Sequence, residues 1–140
     1  MKIQKLLLFV LIITTIQLNL FAQKDSSDFV FTIKTDNLGV SSDSSYQLQL
    51  EDSLNFNVDI DWDNDGIFDT LGVDSTITHK YDSIDSYTIR LRGSFSNLKF
   101  GGDSARDRSK LISIDQWGSQ VWNTTAYMFS NCDSLLTTPL

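Results

Sequence analysis

The stretch Phe56-Asn57-Val58-Asp59-Ile60-Asp61-Trp62-Asp63-Asn64-Asp65-Gly66-Ile67-Phe68-Asp69 decides the fold. Its first seven residues alternate, with Phe56, Val58, Ile60 and Trp62 on one face and Asn57, Asp59 and Asp61 on the other. That is the period of a strand with one buried side. The remainder, dense in Asp, Asn and Gly, reads as a turn.

Outward from this strand the same period recurs. Phe29, Phe31 and Ile33 alternate through residues 29–34, and residues 46–50 alternate again before a turn at residues 51–53, which predicts an antiparallel hairpin with the strand 56–62. A short strand over residues 76–81 and another over 87–92, where Tyr87, Ile89 and Leu91 share a face, complete the set, and Gly93 ends it. Short strands at regular intervals with almost no helical period predict a mainly β chain, an antiparallel sandwich of immunoglobulin-like architecture. Residues 95–100 and 111–114 read as further strands around a mixed-charge loop, 101–110. The period then changes: Trp122, Ala126, Phe129 and Cys132 fall three or four apart, predicting one helix with a single apolar stripe. Pro139 lies beyond it, and Leu135, Leu136 and Leu140 have no following element to bury them, so a continuation of the chain is expected.

The first residues bear on compartment. Lys2 and Lys5 precede an apolar run at residues 6–13 that fades before Leu20-Phe21-Ala22-Gln23, the layout of a secretory signal peptide cleaved after Ala22. The run is shorter than the roughly 20 apolar residues a bilayer-spanning helix needs, so no membrane insertion is expected after cleavage. Residues 1–22 are thus read as leader, 23–28 as a flexible linker, 29–93 as the sandwich and 94–140 as an appendage; one modest domain's worth of chain remains. Cleavage takes the formal charge from −7 to −9, with Glu51 the only glutamate. Such a balance excludes nucleic acid and anionic lipid as partners, because both need clustered Lys and Arg. Cys132 is the only cysteine, so no internal disulfide forms; Asn131 and Asp133 beside it supply nothing to lower its pKa, and a buried apolar role is expected.

The most chemical segment is the turn itself. Asp61, Asp63, Asp65 and Asp69 occupy the first, third, fifth and ninth positions of a loop with Gly66 at the sixth, which matches the front half of a calcium loop. The twelfth position is Gly72 rather than a bidentate glutamate, so a helix-loop-helix site is excluded, whereas an irregular calcium site completed by Asp74 or a backbone carbonyl is not. The plain alternative is a metal-free turn, for which the same residues are preferred. Asp61 and Asp63 as an acid and base pair for glycoside hydrolysis lack an apolar pocket to separate their pKa values. His79, the sole histidine, sits in an alternating strand and reads as structural. Trp62, Trp117 and Trp122 fall where core faces or element edges are expected, against a carbohydrate-stacking platform. No catalytic residue is identified.

Several segments in order resemble the N-terminal region of BspA-like leucine-rich-repeat surface proteins of bacteria. They are the opening strand with Lys34-Thr35-Asp36-Asn37, Asp59-Ile60-Asp61-Trp62 leading to Asp65-Gly66, Ile77-Thr78-His79-Lys80-Tyr81, and Tyr87-Thr88-Ile89-Arg90-Leu91-Arg92-Gly93. Leu111-Ile112-Ser113-Ile114-Asp115-Gln116-Trp117-Gly118 and Trp122, Phe129, Cys132 and Leu135 continue it. The first half also resembles the PKD-type sandwich domain, although the turn Trp62-Asp63-Asn64-Asp65-Gly66 is one residue longer and more acidic than that family's Trp-Gly-Asp-Gly. The resemblance implies a PKD-like sandwich followed by a short helix-containing cap or first leucine-rich repeat. It implies a non-enzymatic adhesion module, secreted or at the cell surface, whose partner is a protein or glycan. The alternatives are an accessory domain of a secreted glycan-degrading enzyme and a calcium-stabilised structural module.

Overall fold

A computed structural model describes residues 26–50, 55–102 and 106–139. The expected leader, residues 23–25 of the expected linker and the expected turn at 51–53 lie outside the described residues. Seven strands run in chain order: β1 (Phe29–Lys34), β2 (Ser45–Leu48), β3 (Asn57–Asp61), β4 (Thr70–Val73), β5 (Ile77–Lys80), β6 (Ser86–Ser94) and β7 (Leu111–Gln116). They form a five-stranded sheet of order β4-β3-β6-β1-β7 and a two-stranded sheet β2-β5. Every pairing between named strands is antiparallel. The molecule is therefore mainly β, with one 3-10 turn (Arg108–Lys110) as the only helix among the described residues. None there is long and apolar enough to cross a membrane.

The alternation in the sequence becomes the core. Phe29, Phe31 and Ile33 from β1, Val58 and Ile60 from β3, and Ile89 and Leu91 from β6 are fully buried. Across the core stand Tyr46 and Leu48 of β2, with the rings of Phe31 and Tyr46 6.0 Å apart. The outer face of the large sheet is knitted by polar pairs: Asp59 with Arg92 at 2.7 Å on β3 and β6, and Thr32 Oγ1 donating to Asp115 at 2.6 Å on β1 and β7. Gly93 does not end its strand but pairs with Val58 inside β6, at φ +117°, and a Cβ there would strike the backbone oxygen of Asn57; only glycine fits.

Four more expectations are corrected. The hairpin of residues 46–50 with 56–62 does not form: β2 pairs with β5, and β3 pairs with β4 and β6 in the other sheet. Alternation says which face is buried, and it looks the same whether the next strand lies beside or across the core. Residues 95–100 make a turn, Leu98 N donating to Phe95 O at 2.9 Å, rather than a strand. The stripe of Trp122, Ala126, Phe129 and Cys132 is not a helix but successive turns, with Tyr127 and Asn131 at φ +60° and +59°. Left-handed residues break an α-helix, yet Met128 and Cys132 are still buried by this path while Ala126 is exposed. Finally, Asp28, placed in the linker by its sequence, is 3 % exposed and faces Arg90 Nη1 at 3.5 Å. Phe95, Leu98, Phe100, Leu111 and Ile114, from the segment after Ser94, join the same core as β1.

The loop 35–44 is held by two residues of the expected mixed-charge loop. Lys110 is fully buried, its ammonium donating to the backbone oxygens of Ser42 and Ser45 at 2.8 and 2.9 Å and to Ser41 Oγ at 2.9 Å. Asp107 accepts from the amides of Val40 and Gln47 at 2.7 and 2.6 Å.

Candidate functional site

The acidic turn is built at the end of β3. Left-handed φ values at Asn64 (+59°) and Gly66 (+96°) curl the chain so that its amides fold back on its own carboxylates. Asp65 N and Gly66 N donate to the two oxygens of Asp61 at 3.2 and 2.9 Å, and Ile67 N donates to Asp65 at 2.7 Å. The result brings carboxylate oxygens of Asp61, Asp63 and Asp65 within 4.8 Å of one another. Three carboxylates at that spacing are a donor set a hard cation such as calcium can use, although it takes six to eight oxygens.

Two features limit the set. Asp69, the fourth expected ligand, is not part of it: its carboxylate turns back to accept from Trp62 N at 3.0 Å. Asp74, the other candidate, lines a separate cleft with Asn55, Phe56 and Ser75. Asp61 is also already served. It is fully buried, and Arg90 Nε lies 3.9 Å from it while the same guanidinium takes Asn64 Oδ1 at 2.7 Å. Asp63 and Asp65 are exposed and carry the open side. Burial, then the neighbouring carboxylates of Asp65, Asp61 and Asp69, pushes the Asp63 carboxyl above its ordinary range. A cation would relieve that crowding.

Beside the turn, the sequence left an aromatic row unread. Trp62 stacks on His79 with centroids 4.6 Å apart, His79 meets Tyr81 edge-on at 4.5 Å, and Tyr81 stacks on Tyr87 at 3.6 Å. Tyr81 Oη donates to Trp62 O at 3.1 Å, tying β3 to the residue after β5. Burial lowers the His79 pKa, so the ring is neutral near pH 7. The signal for this row was present as His79 and Tyr81 at alternating positions and Tyr87 at the start of the next strand, but only the pairing of sheets brings them to Trp62. Trp62 itself is 2 % exposed and Trp122 packs against the core, as expected for core residues. Burial pushes the Cys132 thiol up to about 11, which removes it from thiolate chemistry.

No protein-family model matches this chain, and no curated protein or solved structure matches it either.

Proposed function

We propose that the chain is a non-enzymatic interaction module of an exported protein, a PKD-like sandwich that also caps a stack of leucine-rich repeats. One observation carries the reading. Every pairing between named strands is antiparallel, but Ser113 on β7 pairs in parallel with Thr137, 24 residues along the chain. Ile114 N donates to Thr137 O at 3.0 Å and Leu136 N to Ile112 O at 2.9 Å. A parallel return after roughly 20 to 29 residues is the step of a leucine-rich solenoid, whose apolar end needs a non-repeating unit to cover it. The intervening Trp122, Phe129 and Leu135 pack inward, as such a step requires.

The basic, then apolar, opening of residues 1–22 supports a secreted or cell-surface location, and the acidic charge supports a partner that is a protein or a glycan rather than nucleic acid. A tandem chain carrying a second copy of residues 111–137 after Pro139 tests the cap: the reading predicts a higher Tm and a protease-resistant second copy. A second copy that is cleaved while the first survives, with unchanged Tm, contradicts it. Turnover of soluble or insoluble glycans by the purified chain would instead favour an enzyme.

The Asp61, Asp63 and Asp65 triad supports a second reading, a calcium-stabilised structural module, compatible with the first. It predicts that calcium raises Tm and that Asp63→Asn with Asp65→Asn abolishes the rise; equal melting in calcium and in chelator would exclude it.

A further inference from the structure

A cleft of about 390 Å³ opens between the acidic turn and β5. Its wall is the aromatic row from Trp62 to Tyr87, and Asp63, Asp69 and Asp82, all exposed, stand around it. Lys80 is the one cation among the described residues that line it. Ring faces carry partial negative charge and attract cations, the more so when carboxylates stand beside them. The neutral His79 ring adds to that face instead of opposing it. A sugar-stacking platform needs a broad open ring, whereas Trp62 and Tyr81 are 2 % and 6 % exposed and covered by His79 and Tyr87.

The strand beside the cleft is also open. Among the described residues β5 pairs only with β2. Tyr81 N donates to Ser44 O at 2.8 Å on the β2 side, so by antiparallel alternation the backbone groups of Thr78 and Lys80 point the other way. A peptide strand can add along that edge.

We infer that this cleft receives a lysine or arginine side chain of an extended, basic segment of a protein partner, laid along the free edge of β5. The inference rests on the interaction-module reading and names its contact site. An alkyl stem lies against the rings and the charged end reaches Asp69 and Asp82. Asp63 belongs both to this cleft and to the triad, so the test is run in chelator.

Calorimetric titration of the exported chain with hexalysine and hexaarginine, beside spermine and a glucosamine oligomer, tests it at about 150 mM salt. Saturable peptide binding is expected. Asp69→Asn with Asp82→Asn should weaken it by about fivefold or more, Thr78→Pro should weaken it too, and the charge-matched pair Asp43→Asn with Asp133→Asn should leave it unchanged. Equal weakening by both charge-matched pairs, or no saturable binding at millimolar peptide, overturns the site. Spermine or the amino sugar binding as tightly as the peptides, or Thr78→Pro without effect, overturns the protein partner. None of these outcomes bears on the tandem-repeat melting result, so the cap reading fails or survives separately.

Discussion

At the scale of single residues, the fold depends on charges placed where water does not reach. Lys110 is held by four oxygen contacts, three on the loop it anchors and one on Ser45 at the start of β2. Replacing it by Met should cost about 3 kcal/mol, since the acceptors lose a charged donor and stay buried; chemical denaturation measures this. Asp63 gives a prediction whose sign depends on metal. Its pKa is raised in the fold, so the native state holds its proton to higher pH than the unfolded chain. The group therefore opposes folding above its raised pKa, and the penalty fades as pH falls toward the ordinary carboxylate range. In chelator Asp63→Asn should raise Tm at pH 7, and the advantage should shrink as the pH is lowered. In calcium the same substitution should lower Tm if the triad holds the ion. A lowering in both conditions would mean that Asp63 serves the turn alone.

At the scale of elements, alternation was the legible part. β1 was bounded correctly, and β3, β5 and β6 to within two residues at either end, because one buried face imposes a period that nothing else produces. β4 was missed: Thr70–Val73 is a four-residue edge strand with Gly72 at φ +65° and only Leu71 and Val73 to mark an alternation. Three of the four aspartates expected at the turn do converge, because their spacing is local, whereas Asp69 is drawn away by a backbone amide that sequence spacing does not display. The false helix at residues 122–132 has the opposite lesson. Turns can bury every third or fourth residue as a helix does, and the two left-handed residues that break the period, Tyr127 and Asn131, carry no glycine to announce it. Tyr127→Gly should therefore leave stability unchanged or raise it, where in a helix it would cost about 1 kcal/mol. Tyr127 is 80 % exposed, so little packing is lost, and thermal melting decides the sign.

At the scale of the whole molecule, one core joins what the sequence divided at Gly93. β1 lies between β6 and β7, and the rings of Phe29 and Phe100 are 6.0 Å apart. A chain ending at Ser94 should lose cooperative unfolding, because β1 would have a bare edge and Phe29, Phe31 and Ile33 would lose part of their cover. A sharp calorimetric transition from that fragment would instead support the two-unit description. In the intact chain the same continuity carries the sheet past β7 to Thr137, and the cap reading depends on this step. Amide hydrogen exchange at Ile114 and Leu136 tests it most directly, since these two groups donate the bonds of the parallel pairing. The account predicts protection of both, lost together and close to that of β1. Fast exchange at Leu136 with Ile114 protected only as a bare edge strand would contradict the parallel step and the repeat-capping role drawn from it.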